Sequence, residues 1–438
     1  MLKLSLVAIM AIPVISGATT LSEVVQKTIQ THPQMQAKKE ILYGQKESLT
    51  NVQSAYYPSI DLGYSVGPET TKTISNRREE ADLVRQDASA TLTQSIFSGL
   101  STVNGVKEQE ALILSANENV KEEANALAIE AITAYLNVLK NNALHKIAEE
   151  NVALHKKYLD QIKTKVDAGL GKSSDYKQTL SRFENVTSSR YLSELDYANA
   201  LYTYQRVLPG EVAVSELEAP SITNTPSEDL NVLIEEAKGN NPTISSLKSE
   251  VEAAKASLKR ADSNYYPTAD IVVEGYWNQN VHGISTDAKE VFPPTQDEID
   301  SGYNALLVLN YNLFNGFADS SKEEMMRHKL LEKQSVLADN ERILKLNTQM
   351  AWKTFDITSK SLKHIEYNIQ ATAQTESDYQ QEHELGRRSI IDLLNINVEY
   401  NNARNRKVNA EFDRMLAYYQ LLSYRGKLLE EMNIQIAE

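Results

Sequence analysis

The sequence predicts a mainly α fold with a small β part: long α-helical hairpins joined to four short strands. Three observations carry this prediction. Between Gly316 and Gly386 there is neither Gly nor Pro, and Lys, Glu, Gln, Leu, Met and Ala fill the stretch. Four segments elsewhere alternate apolar and polar residues with the two-residue period of a half-covered strand. The whole plan then occurs twice, in register, along one chain.

The Gly316–Gly386 stretch predicts one uninterrupted helix, roughly 100 Å long at about 1.5 Å rise per residue. That is several times the usual globular helix. It stops at Leu385-Gly386-Arg387-Arg388, and a new helix begins at Ser389-Ile-Ile-Asp392. A chain that builds such a rod and turns it sharply is spanning a distance.

The repeat is read from paired motifs. His32-Pro33 returns as Asn241-Pro242, and Tyr56-Tyr57-Pro58 as Tyr265-Tyr266-Pro267, both 209 residues on. Ile96-Phe-Ser-Gly99 returns as Leu313-Phe-Asn-Gly316 at an offset of 217. The same offset relates Ala134-Tyr135 to Ala351-Trp352, Gly169 to Gly386 and Asp175 to Asp392. The copies occupy 19–208 and 230–429, with a linker over 209–229 rich in Glu, Pro, Ser and Thr, and a tail over 430–438.

Each copy opens with a helix, Leu21 to Ser54 or Leu230 to Ser263, which Tyr-Tyr-Pro ends because a residue before Pro disfavours the helical region. Two strands follow. Ile60, Leu62, Tyr64 and Val66 make one apolar row; Ala88, Ala90, Leu92 and Ile96 make the next. The second copy offers Ala269, Ile271 and Val273, then Ala305, Leu307, Leu309, Tyr311 and Leu313. Polar loops, Thr70 to Asp87 and Asn278 to Gly302, are expected to join each pair. A long helix then leaves from about Thr102 or Ala318. It turns at Gly169-Leu-Gly171 or at Gly386, and returns over Ser174–Leu208 or Ser389–Leu429. Val408, Phe412, Met415, Tyr419 and Leu422 step by 4, 3, 4, 3 along the second return helix, the spacing of a seam for neighbouring helices.

The first 18 residues read as a signal peptide: Lys3, an apolar run from Leu4 to Ile15, then Ser16-Gly17-Ala18, which places the start of the mature chain at Thr19. No later segment holds 18 consecutive apolar residues, so no transmembrane helix is expected. The chain carries 45 Lys+Arg against 59 Asp+Glu, a net charge of −14, which argues against nucleic acid as a partner. It has no Cys, which excludes disulfides, thiolate metal sites, Cys nucleophiles and a lipidated N-terminal Cys. The seven His include no i,i+4 pair for zinc, and no Gly-rich phosphate loop occurs. Ser174-x-x-Lys177 and Ser245-x-x-Lys248 match a nucleophile pattern by chance in a Ser- and Lys-rich chain. No enzyme and no cofactor are expected.

Two strand pairs separated by a long rod have no core of their own. A lipid-facing barrel accommodates them, since strands of about 10 residues span an outer membrane. A barrel in lipid must close. Four strands cannot enclose an interior, so several subunits must contribute. Aromatics gather at the strand ends, as in an interface girdle: Tyr56, Tyr57, Phe97, Tyr265, Tyr266, Trp277, Tyr303, Phe314 and Phe317. The reading weighed against a duct is a periplasmic or surface coiled-coil scaffold without a pore.

The duplicated helix–strand–strand–helix–turn–helix order, the Tyr-Tyr-Pro before each strand pair, Phe-x-Gly at the strand-to-helix junctions and Gly-x-x-x-x-x-Asp at the tips resemble the TolC family of outer-membrane channel-tunnels. The resemblance covers nearly the whole mature chain. It implies a homotrimer with a 12-stranded transmembrane β-barrel in outer-membrane lipid and a trimeric periplasmic α-barrel. It further implies docking with a periplasmic adaptor and an inner-membrane ABC or RND transporter, and export of proteins or small toxic molecules. Ala134-Tyr-Leu-Asn-Val138 and the Asn-rich run after it lean towards the type I protein-secretion members.

The resemblance also places a gate at the second tip, on Gly386, Arg388 and Asp392. Asn395 stands where the family has a second acid, and His383 where it has a Tyr. Asp175 is the matching acid of the first hairpin, and Arg387 adds charge beside Arg388. From the residues alone, acids repeated near a symmetry axis would repel one another and attract cations. Ser389 and Asp392 are equally spaced as a helix cap and its acidic N3 partner, and Asp175 after Ser173-Ser174 reads the same way.

Overall fold

The computed structural model describes residues 20–72, 80–208, 217–222, 226, 229–279 and 299–436. The expected signal peptide and most of the expected linker lie outside the described residues. The chain forms two compact units. The first takes the chain up to Lys39, Glu118–Ser245 and everything from Asp339; the second takes Glu40–Asn117 and Ser246–Ala338.

The opening helix of each copy is two helices, which corrects the single helix expected. α1 (Leu21–Thr31) and α2 (Pro33–Gln53) meet at His32; in the second copy a pair from Leu230 to Asn240 and from Pro242 to Ala261 meets at Asn241. Pro has no N–H for the helical ladder and pushes the preceding residue into extended backbone. His32 and Asn241 accordingly have ψ of 130° and 124°. Short 3-10 turns, Ser54–Tyr56 and Asp262–Tyr265, lead to the strands.

β1 (Ser59–Thr71) and β2 (Ala81–Ser98) are longer than expected, at 13 and 18 residues. The expected polar loop from Thr70 to Asp87 is therefore largely strand. Glu69 and Thr70 pair with Leu83 and Asp82, and only 73–79 lie outside the described residues. α3 (Ser101–Asp167) and α4 (Ser173–Val207) complete the first hairpin. α5 (Leu230–Asn240) and α6 (Pro242–Ala261) are the second copy's opening pair. β3 (Thr268–Gln279) and β4 (Ile299–Asn310) follow, so Asn278 and Ile299–Gly302 are also strand rather than loop. Tyr311 and Leu313, expected in the last strand, fall beyond its end. α7 (Ala318–Glu384) is one helix of 67 residues, as the missing Gly and Pro predict. α8 (Ile390–Tyr424) ends earlier than expected, at Gly426 with φ 67°, before the single turn α9 (Leu428–Glu431). A Cβ on Gly426 would run into the Asn240 carbonyl oxygen, so only Gly fits this stop.

In the second unit the strands form one antiparallel sheet in the order β1-β2-β3-β4. The register lines up the apolar residues of all four strands. Ile60 faces Leu92, Leu92 faces Val273, and Val273 faces Ala305; Gln94, Ile271 and Leu307 share the next row. The opposite face carries Asp61, Thr91, Glu274 and Asn304 in one row. Ile96, placed in the apolar row by alternation, sits in a bulge between Ser95 and Phe97. The apolar face is bare: Leu62 is 82% and Tyr303 87% exposed. β1 and β4 each pair on one side only among the described residues.

Both strand-to-helix junctions use two consecutive left-handed residues, Gly99-Leu100 and Gly316-Phe317, with φ between 61° and 69°. Left-handed backbone is costly for Leu and Phe, by about 1 kcal/mol or more each, so the corner is held by its surroundings. At Gly99 a Cβ would stand 2.5 Å from the Ser263 carbonyl oxygen.

In the first unit the helices lie in the order α4-α3-α8-α7. Tyr135 and Tyr204 rings join α3 to α4 at 6.5 Å. Asn125 donates to Ser423 Oγ at 2.8 Å and Arg404 pairs with Glu150 at 2.6 Å, joining α3 to α8. Phe355 and Tyr418 join α7 to α8 at 6.2 Å. The core runs along Leu127, Ile132 and Tyr135 of α3, Leu233 of α5 and Leu421 of α8, all almost wholly buried. Tyr135 donates its hydroxyl to the Glu218 carbonyl at 2.6 Å. Burial, which disfavours the phenolate, pushes this Tyr up to about 12.

Candidate functional site

The two hairpin turns of the first unit are built alike. Gly169 and Gly386 are left-handed, with φ of 72° and 75°. Each closes its helix with a pair of crossed backbone bonds. Gly169 and Leu170 donate to Val166 and Lys165; Gly386 and Arg387 donate to His383 and Glu382. These are Schellman caps, which need a residue free of the left-handed penalty. Gly171 serves differently: a Cβ there would stand 2.9 Å from a Val166 methyl.

Beneath the turns the hairpins share an apolar knot. Tyr158 and Ile162 of α3 pack with Ile390, Leu393 and Leu394 of α8, and Tyr176 of α4 and Tyr379 of α7 close its sides. All four long helices are thus joined next to their turns.

Asp392 and Ser389 form a capping box. Ser389 Oγ accepts from the Asp392 N–H at 3.2 Å, and the Asp392 carboxylate accepts from the Ser389 N–H at 3.2 Å and hydroxyl at 2.7 Å. Those two donors hold the Asp392 carboxyl below its ordinary range. Within one chain Asp392 is engaged as a cap. Since its folded value is depressed, its contribution to stability is present above the unfolded value and is lost as pH falls through the folded one. Ser389→Ala removes the hydroxyl from both bonds and is expected to cost about 1 kcal/mol. Thermal unfolding at pH 7 and pH 3 checks this: the penalty should shrink at the lower pH.

Asp175 stands in the matching first turn of α4 without such a box. Its cap position is Lys172, with no side-chain cap bond, and among the described residues Asp175 accepts from the Ser174 hydroxyl alone, at 3.2 Å. An acid in a first turn still suits the helix dipole.

Among the described residues Arg388 forms no ion pair with an acid of α8, although its charge still acts on Asp392. Its Nε donates to Glu382 at 2.6 Å, and its guanidinium lies 4.0 Å from the Tyr379 ring centre. The Glu382 hydrogen bond holds the guanidinium above its ordinary value. His383 Nδ1 donates to the Arg388 carbonyl at 2.7 Å, which puts the ring proton on Nδ1. Tyr379, Glu382 and His383 sit at i, i+3 and i+4 on one face of α7, the spacing that lets three side chains meet one target. That spacing was the signal for Tyr379 and Glu382, which sequence reading missed. Arg387 is exposed.

Above the apolar knot lies a polar layer that sequence reading also missed. Asn397 donates to Glu376 at 2.9 Å, and Asn401 donates to Asn397 at 3.0 Å and to Asn151 at 3.1 Å. Arg182 of α4 donates to Asn395 at 2.8 Å. Asn395, which replaces the expected second acid, thereby ties the first hairpin to the second.

The expected interface aromatics all lie in the second unit. Tyr56, Tyr57, Tyr265 and Tyr266 are exposed at the bases of β1 and β3, and Tyr265 donates its hydroxyl to Glu323 at 3.2 Å. Trp277 lies within β3 on the apolar face, opposite Ala88 and Ser301.

The family model for outer membrane efflux proteins matches residues 24–208 and 233–427. The chain belongs to the outer membrane efflux protein family. The outer membrane efflux protein BepC of Brucella suis biovar 1 (strain 1330) is 20% identical over 435 residues, 97% of this chain and 90% of the relative. The outer membrane protein TolC of Escherichia coli (strain K12) is 20% identical over 429 residues, 95% of this chain and 84% of the relative. A solved structure of the outer-membrane channel OprN superposes with a TM-score of 0.79 at 14% identity, covering 93% of this chain and 90% of that one. At that identity the likeness is one of fold. Family membership makes the protein a channel of the Gram-negative outer membrane that serves efflux in tripartite systems, and not an enzyme. The TolC-family resemblance read from the sequence is borne out.

Proposed function

We propose that the protein is the homotrimeric exit duct of a tripartite export system. It would receive cargo from an inner-membrane ABC or RND transporter through a periplasmic adaptor. The observation that carries this reading is the sheet: four antiparallel strands, apolar on one bare face, with β1 and β4 each pairing on one side only among the described residues. Open edges do not persist in lipid, and three copies joined β4 to β1 would close 12 strands. The helical unit supports the same closure. Its edge helices leave apolar residues exposed at coiled-coil spacing, Tyr191, Leu195 and Tyr202 on α4 and Ile343, Met350 and Ile357 on α7. In this reading Tyr56, Tyr57, Tyr265, Tyr266 and Trp277 meet the membrane interfaces, and the turns at Gly169 and Gly386 form the periplasmic mouth.

At that mouth Arg388 is the latch, held by Glu382, Tyr379 and His383 rather than by Asp392. Asp392 and Asp175 supply negative charge around the opening, and Arg387 is the exposed cation beside them. The Ala134–Val138 motif favours proteins of the type I route as cargo, with small toxic molecules the second class.

Purified full-length protein in planar bilayers tests this reading. Folded trimers are expected to conduct and to prefer cations, and Arg388→Ala is expected to raise the conductance. Trimers that do not conduct, or protein that stays in the aqueous fraction, would favour the scaffold reading. Unchanged conductance in Arg388→Ala would remove Arg388 from the latch.

A further inference from the structure

One ionisable side chain of the helical unit has no role in the duct described above. His155 of α3 is completely buried, one turn from Tyr158 in the apolar knot and one turn from Asn151 in the polar layer. Its Nδ1 lies 3.0 Å from the Asn151 carbonyl, an acceptor, so Nδ1 carries the proton of the neutral ring. Nε2 is buried and has no hydrogen-bond partner among the described residues. The neutral ring tolerates this, because an unprotonated ring nitrogen loses only an acceptor bond. The imidazolium would not, because a charged N–H would then be buried without an acceptor.

The neighbouring charges make protonation worse. From α4, Arg182 is near enough for its charge to oppose a second cation. From α8, Arg404 is paired with Glu150 of α3 at 2.6 Å, and Asn401 is committed to Asn151 and Asn397. From α7, Glu376 accepts from Asn397. Glu150 and Glu376 are thus already engaged, and the charge of Arg182 acts against a proton on the ring.

We propose that His155 is an acid-sensitive switch in the hairpin packing, whose protonation drives its ring out of the interior and loosens the contact of α3 with α4 and α8 next to the tips. Burial, with Arg182 adding to it, holds the ring below its ordinary range. The sign follows. The folded form binds its proton less readily than the unfolded chain, so the packing is fully stable above the ordinary value of about 6.5. Stability is lost as pH falls from there towards the folded value.

The chain contains no Cys, so a single introduced thiol reports cleanly. Ile162→Cys places one in the buried knot, and Leu170→Cys, at an exposed turn, is the control for the thiol's own pH dependence. In the full-length protein, the ratio of the two labelling rates with a thiol reagent is expected to rise several-fold between pH 7.5 and 5. His155→Gln keeps an amide that can donate to the Asn151 carbonyl but cannot titrate, and its ratio is expected to stay flat. Arg182→Gln removes the opposing charge and is expected to move the midpoint of the rise to higher pH; a merely structural role for Arg182 would raise the ratio at every pH instead. A flat ratio in the native background overturns the proposal, and so does an equal rise in His155→Gln. Should His155→Gln fail to fold, a midpoint that Arg182→Gln leaves unmoved, or moves down, overturns it as well.

Discussion

Leu394→Ala is expected to destabilise the joined hairpin tips by about 2–5 kcal/mol, the range for removing a fully buried Leu. Leu394 has no exposed surface and packs among Tyr158 and Ile162 of α3 and Ile390 and Leu393 of its own helix. The loss has two parts. The removed atoms forfeit their transfer free energy. The rest comes from the cavity, which two rigid helices cannot collapse around. Leu385 sits nearby at the turn but is 70% exposed, so Leu385→Ala should fall within about 0.5 kcal/mol of the native protein. Hydrogen exchange along α3 and α8 measures the difference. Faster exchange confined to the tip in Leu394→Ala is the expected pattern; equal exchange in the two variants would mean that the knot does not hold the hairpins together.

The elements of this knot were legible, but their meeting was not. The absence of Gly and Pro predicts α7, and the isolated Gly386 before a basic pair predicts its turn. A helix interior needs no partner to be recognised, since it closes its own hydrogen bonds. The knot, in contrast, joins residues far apart in the chain, and the Asn401–Asn151 bond above it spans 250 positions. Nothing local marks either Asn. The same reasoning separates the strands' existence from their length. Alternation marks the centre of β1, whereas its last residues are strand because Asp82 and Leu83 lie opposite them.

The breaks at Pro33 and Pro242 were legible in principle. Both prolines mark the repeat, and each also carries the cost that breaks a helix interior. At the tip, Asp392 had two readings, gate and cap, and the capping box settles its engagement within one chain. Arg388 stands out in the sequence, but its partners within the chain, Glu382 and Tyr379 of α7, do not. A charged side chain at a tight turn first meets the helix that precedes it, and Glu382 and Tyr379 were within that reach.

Ala90→Arg and Thr91→Arg, one residue apart on β2, are expected to have opposite fates. Successive strand residues point to opposite faces, so these two positions sample the two sides of the sheet. Ala90 is exposed and lies between Leu62 of β1 and Gly275 of β3, on the bare apolar face. If lipid covers that face, a guanidinium there costs about 2–4 kcal/mol near the bilayer midplane. Thr91 lies between Asp61 and Glu274. An Arg at that position gains two carboxylate neighbours, and on a polar, water-facing side it should be tolerated. The expected result is that Ala90→Arg lowers the yield of folded, detergent-extracted assembly while Thr91→Arg assembles normally with weaker cation preference. Equal assembly of both variants would place the apolar face against something other than lipid. The reverse order would turn the sheet inside out, with its acids outward, which no bilayer would accept. The pair therefore tests the step on which the duct reading depends, from an alternating sequence to a membrane-facing surface, without altering the helices or their turns.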